Sequence, residues 1–231
     1  MREERLSLLI DADDTLWENN IYFEAAFEEF VEFLEHSRLS GAEVRGILDE
    51  IELANSKVHG YGSLNFGKNL QECYAKLAER EIRAEDLETV KGFALRILEQ
   101  PVELMAGVAE TLAELAGRHE LILFTKGHAD EQRMKIDASG VGWWFAHAAI
   151  VKEKNRAAYE GLVRDHGLEK RRTWMIGNSP KSDVNPALEA GLNAVFVPHA
   201  RTWTLERQEL RAPGPGRLVV VERFGDLRGL F

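Results

Sequence analysis

Leu6-Ser7-Leu8-Leu9-Ile10-Asp11-Ala12-Asp13-Asp14-Thr15 is the stretch from which the fold can be read. An apolar, β-rich run ends abruptly in three acids and a threonine. A run this apolar suits a buried strand, and in open α/β sheets ligands bind beyond the carboxyl ends of the strands. Asp11 and Asp13 fall where such a strand opens into a loop, so both can turn toward one ligand. One carboxylate could attack as a nucleophile while its neighbour two residues on gives and takes a proton. The same residues also suit an Asp-rich turn that merely ends a strand.

Working outward, residues 121–124, 174–176 and 194–197 are short and almost wholly apolar, as strands buried on both faces of a parallel sheet must be. Weaker strand patterns cover 148–151 and 218–221. Helical periodicity at 108–118, 129–139, 155–166 and 186–190 separates them. This alternation predicts an α/β fold with a doubly wound parallel sheet. Residues 17–100 read differently: 25–35, 42–57, 70–80 and 87–99 are helix-like and no strand interrupts them. The expected organisation is a catalytic core of residues 1–16 and 101–231 with an all-helical insert over 17–100.

Composition bounds the function. The chain of 231 residues is 45% hydrophobic and 29% charged, as in ordinary soluble globular proteins. Its net charge of −10 argues against binding nucleic acid through phosphates. Residues 17–100 carry 17 acids against 9 bases, and the remainder 22 against 20. Any anion site must therefore be built locally, from a lysine, a metal ion and helix N-termini. No apolar stretch approaches a membrane span, and the run at 6–10 is too short for a signal-peptide core. Cys73 is the single cysteine, so no internal disulfide forms and a cytoplasmic setting is expected.

Other strand ends carry further chemistry. Thr125, followed by Lys126 and Gly127, ends the second core strand; its hydroxyl and the free N–H groups of the next helix could cradle an anion, or it is an N-cap. Lys154 opens the helix after the third strand region and could pair with a phosphate oxygen; Lys152 competes for the same role. Gly177-Asn178-Ser179-Pro180-Lys181-Ser182-Asp183 follows another strand. There Gly177 permits a sharp turn, and Asn178 and Asp183 offer hard oxygens of the kind Mg²⁺ takes. A plain Gly-Asn turn with an Asp cap would look the same. Gly62–Lys68 has the spacing of a nucleotide-binding loop, but Asn69 replaces the required Ser or Thr and no apolar strand precedes it.

Taken together, these strand ends resemble those of the haloacid dehalogenase-like (HAD) hydrolase superfamily over nearly the whole chain. The likeness includes Leu104-x-x-Gly107-Val108-x-Glu110-Thr111-Leu112 where the chain re-enters the core. The helical insert sits where that superfamily's C1 cap sits. The resemblance implies a hydrolase of phosphoric monoesters: Asp11 attacks phosphorus, Asp13 protonates the leaving alcohol and then activates water, and Thr125 and Lys154 hold the transferring group. It implies Mg²⁺ on Asp11, the backbone carbonyl of Asp13, Asn178 and Asp183. Position 178 is usually Asp in the superfamily, so Asn here weakens the metal site or passes the ionic role to Asp183. A small phosphorylated metabolite is the expected substrate, with neither nucleic acid nor membrane as partner, and with monomer and homodimer both open. A metal-free 2-haloacid dehalogenase, a phosphomutase and a catalytically weak binding member of the fold are the alternatives; family dehalogenases lack an acid at the position of Asp13.

One expectation concerns substrate choice. Between Glu52 and Glu72 there is no acid, and Lys57, His59, Tyr61, Ser63, Asn65 and Lys68 alternate with Gly60, Gly62 and Gly67. Such a flexible, polar segment could close over an anion, with Tyr61 and Lys68 reading the substrate. It equally fits a plain connection between helices.

Overall fold

The computed structural model describes residues 5–231. In chain order the elements are β1 (Ser7–Ile10), α1 (Asn20–Leu34), α2 (Gly41–His59), α3 (Ser63–Leu77), α4 (Ala84–Leu95), α5 (Val108–Ala116), β2 (Glu120–Lys126), α6 (Ala129–Ala138), β3 (His147–Val151), α7 (Arg156–Asp165), β4 (Thr173–Gly177), α8 (Asn185–Glu189), β5 (Asn193–Phe196) and β6 (Leu218–Val220). The chain divides into two compact units: residues up to Asn19 with Val102–Phe231, and Asn20–Pro101. The first boundary falls three residues beyond the expected 16/17. Trp17 and Glu18 return against the re-entering chain, through a bridge from Trp17 to Leu104 and a hydrogen bond from the Glu18 N–H to the Glu103 carbonyl.

The first unit is an all-parallel six-stranded sheet in the order β3-β2-β1-β4-β5-β6. Alternation along each strand explains the two layers of helices. Leu8, Ile10, Leu121, Leu123, Trp174 and Ile176 face one side and pack with Val108, Leu112 and Leu115 of α5. Leu9, Ile122, Phe124 and Met175 face the other and pack with Tyr159, Leu162 and Val163 of α7 and Ala187 of α8. The inner strands β1, β2, β4 and β5 bury most of their side chains, so burial of this kind is the main stabilising contribution, about 25 cal/mol per Å² of apolar surface. The connections run from β1 outward to β3 in one direction and from β4 to β6 in the other. The strand order thus reverses between β1 and β4, and the crevice at a reversal is where ligands of this fold class bind.

The second unit is all helical around a core that includes Phe27, Phe30, Leu48, Phe66, Leu70, Cys73, Tyr74 and Val90. Cys73 is buried, and that burial pushes its thiol up to about 12. One expectation is corrected here. Most of the acid-free segment is helical: α2 runs to His59 and α3 begins at Ser63, seven residues before the predicted start. Only Gly60–Gly62 lie between, with φ of 76° at Gly60 and 109° at Gly62, a backbone region that favours glycine. The Asn65 amide donates to the His59 and Tyr61 carbonyls and ties the turn to both helices. Residues 62–68, with their nucleotide-loop spacing, therefore form a helix start. Among the described residues no helix is long and apolar enough to cross a membrane.

Candidate active site

The end of β1 builds the first part of the site. The Asp11 N–H donates to the Ile176 carbonyl and so continues the strand ladder by one residue. The chain then coils through a single turn, with the Thr15 and Leu16 N–H groups donating to the Ala12 carbonyl. Asp14 sits at φ 59°, a left-handed conformation that Asp tolerates better than most residues. This coil lifts Asp13 away from the strand and pairs it with Trp17. The two acids of the motif consequently have different surroundings.

Asp11 is buried between one cation and a hydroxyl donor. Lys154 Nζ donates to its Oδ1 at 2.5 Å, and the Thr15 hydroxyl donates to its Oδ2 at 2.9 Å. Lys154 also reaches Asp183 Oδ1 at 2.8 Å, so one ammonium joins two carboxylates from different strand ends. Burial opposes the charge on Lys154, but Asp11 and Asp183 outweigh it and hold the ammonium above the ordinary lysine range. Burial, then the Asp11 charge, push the Asp183 carboxyl up to about 7 against the pull of Lys154. Lys152, the rival lysine, is exposed, while Lys154 is buried.

The loop after β4 supplies the third side. The Ser179 N–H donates to Asp183 Oδ2 at 2.9 Å, across a wide turn spanning Pro180–Val184. Gly177 ends β4 without a left-handed turn, contrary to the expected sharp turn, and is required by close approach instead: a Cβ there would overlap the Asp183 carboxylate. The Asn178 N–H donates to the Thr15 hydroxyl at 3.2 Å, and its side-chain oxygen lies 3.3 Å from the same hydroxyl. The Asn178 amide nitrogen donates to Thr202 Oγ1 at 2.9 Å, which orients the oxygen toward Thr15.

Asp13 is held elsewhere in the same unit. Lys135 Nζ lies 2.8 Å from each of its oxygens, Trp17 Nε1 donates to Oδ1 at 2.8 Å, and Gln132 Nε2 donates to Oδ2 at 3.2 Å. Gln132 also donates to Thr125 Oγ1 at 2.6 Å, so Thr125 and Asp13 share one amide. Gly127, at φ 152°, leaves the space that the Gln132 side chain fills. Lys126 is engaged differently: its ammonium pairs with Glu206 at 2.6 Å and donates to Ser182 at 3.0 Å. Burial alone would raise Glu206, but Lys126, Ser179 and Ser182 hold its carboxyl below the ordinary range. Glu206 also accepts from the Ser179 hydroxyl at 2.6 Å, so this pair braces the Ser179–Asp183 loop. Tyr61 and Lys68 belong to the helical unit, where Lys68 Nζ donates to Asn65.

Thr15, Trp17, Gln132, Lys135 and Glu206 take part in this geometry but have no assigned role in the sequence reading. The signal for two of them was present: Gln132 and Lys135 are three apart on the helix that follows Thr125, and so lie on one helix face.

Asp11 and Asp183 share the Lys154 ammonium, and the Asn178 oxygen lies beside the Thr15 hydroxyl that donates to Asp11, so two carboxylates and an amide oxygen gather around one ammonium. A hard, oxygen-rich set with surplus negative charge fits a divalent cation such as Mg²⁺. Nearby, Asp14, Glu18 and His199 bring one ligand atom each within 4.8 Å of one another.

Comparison with known proteins agrees with the architecture. The chain matches the description haloacid dehalogenase-like hydrolase over residues 7–191. A haloacid dehalogenase-like family hydrolase from Xanthomonas campestris is similar at 29% identity and TM-score 0.84, over 98% of this chain and 90% of that one. YfnB of Bacillus subtilis, a HAD hydrolase whose structure is bound to magnesium, aligns at 16% identity and TM-score 0.69, over 99% of each chain. L-2-haloacid dehalogenase from Xanthobacter autotrophicus aligns at 16% identity and TM-score 0.65, over 98% of each. The last two share the fold alone. No curated protein sequence matches. With the parallel sheet, the strand-end acids and the match over residues 7–191, the chain belongs to the haloacid dehalogenase-like hydrolase family.

Proposed function

We propose that this protein is a Mg²⁺-dependent phosphomonoesterase that acts on a small phosphorylated metabolite through an aspartyl-phosphate on Asp11. The observation that carries the reading is the presence of two acids in separate settings. Asp11 is buried beside Lys154, and Asp13 is held apart on Lys135, Gln132 and Trp17. Displacement at phosphorus needs both a nucleophile and a group that moves a proton.

In this account an Asp11 carboxylate oxygen forms a bond to phosphorus as the ester oxygen leaves. Asp13 supplies the proton that the departing alkoxide takes up. Asp13, now a carboxylate, takes a proton from water as that water attacks phosphorus, which releases inorganic phosphate and restores Asp11. Lys154 and Thr125 orient the phosphoryl oxygens, and the Asn178–Asp183 loop closes the other side. Mg²⁺, held by Asp11, the backbone carbonyl of Asp13, Asn178 and Asp183, would supply positive charge against the phosphoryl oxygens. Positioning and charge neutralisation are the main requirements of phosphoryl transfer.

A second reading, a metal-free 2-haloacid dehalogenase with Asp11 attacking carbon, is favoured by the neutral Asn178. The test is release of phosphate from a panel of phosphorylated metabolites with and without Mg²⁺, run beside halide release from 2-haloacids. Mg²⁺-dependent phosphate release supports the phosphatase; metal-independent halide release supports the dehalogenase.

A further inference from the structure

We infer that Lys135, acting with Gln132 from one face of α6, is the positioning residue that holds Asp13 in its base-competent pose; this rests on the phosphatase reading. The four contacts to Asp13 come from two directions. Trp17, in the same coil, fixes one oxygen, but it moves with the segment that carries Asp13. Lys135 and Gln132 come from a different element, α6, and Gln132 also ties the coil to the end of β2 through Thr125. Gln132 is buried at 2% exposure and Lys135 side-chain exposure is 13%. Neither is a solvated surface group.

An ammonium 2.8 Å from each of the two oxygens grips both ends of the Asp13 side chain. Lys135 further donates to Asn19 Oδ1 at 3.0 Å, just past the coil, so the ammonium spans the segment from Asp13 to Asn19. Without Lys135, two of the four contacts are lost and the base is left to Trp17 and Gln132. Misplacing a reacting group by about 1 Å can cost roughly 10²-fold in rate.

The experiment compares the parent with Lys135→Met and Lys135→Arg in two ways. The Trp17 indole N–H resonance, assigned by its loss in Trp17→Phe, reports where Asp13 lies without any turnover. It should move in Lys135→Met and stay near its parental position in Lys135→Arg. In steady-state kinetics Lys135→Met should lower kcat by roughly 10- to 100-fold with KM little changed, and Lys135→Arg should recover most of the loss. If Lys135→Met does not fold, Lys135→Gln, which keeps N–H donors without the charge, replaces it. An unmoved indole resonance overturns the inference whatever the kinetics show. A moved resonance with parental kcat overturns the positioning role. If the parent releases no phosphate, the phosphatase reading falls and the role in turnover with it, while the resonance still decides whether Lys135 holds Asp13.

Discussion

The Asp183 carboxylate occupies the space where a side chain at Gly177 would begin. The end of β4 and the acid six residues on are thereby packed as one unit, with the Ser179 N–H holding the same carboxylate. Gly177→Ala should push Asp183 away from Lys154. Overpacking of this kind costs about 1–3 kcal/mol, readable as a lower urea midpoint at unchanged slope. Parental stability would mean that the loop relaxes freely.

Lys154 makes the cationic contact of both Asp11 and Asp183. Lys154→Met leaves two buried carboxylates facing each other, and breaking a buried pair costs about 3–5 kcal/mol. Adding Asp183→Asn should return part of that loss, because one of the stranded charges is then gone. Urea denaturation of the single and double variants checks both statements; equal stability of the two would remove Asp183 from the coupling.

In the helical unit, Glu52 is buried on α2, and its Oε2 has no hydrogen-bond partner among the described residues. Burial pushes its carboxyl from 4.5 up to about 8. The folded chain then keeps a proton that the unfolded chain releases, so Glu52 lowers stability as pH rises from about 4.5 to about 8. The effect is at most roughly 1.4 kcal/mol per pH unit. Glu52→Gln should therefore gain on the parent progressively across that window. Denaturant titrations at its two ends measure the difference, and a constant gap between the proteins would exclude the buried titration.

Asn178 is a neutral oxygen donor in a position that faces Thr15 and, through it, Asp11. Asn178→Asp adds charge to a hard-oxygen set and should tighten Mg²⁺. Half-saturation by Mg²⁺, read from activity and from calorimetric titration, should fall. An unchanged value would place residue 178 outside the metal's ligands and leave Asp183 to carry the charge.

Much of the core is legible in the sequence because parallel strands buried on both faces leave short apolar runs, as at residues 121–124 and 174–176. The carboxyl ends of those runs name Asp11, Thr125 and Asn178 directly. Lys135 and Gln132 are harder to see: half of the α6 residues are charged, and only the folded packing distinguishes a side chain gripping Asp13 from one in water. The start of α3 is obscured by Gly62, Asn65 and Gly67, which are poor helix formers. The tertiary packing of Phe66, Leu70, Cys73 and Tyr74 overrides that local preference. Gly177 could be read as a turn residue; that it makes room for Asp183 depends on a side chain folding back, which spacing does not encode.

Asp11→Asn decides whether Asp11 is the group that attacks phosphorus. The amide keeps the size of the side chain but is a far poorer nucleophile. On the best substrate of the phosphorylated panel, with Mg²⁺ present, phosphate release by a folded Asp11→Asn protein should fall by roughly 10³-fold or more. Release within about tenfold of the parent would contradict the account.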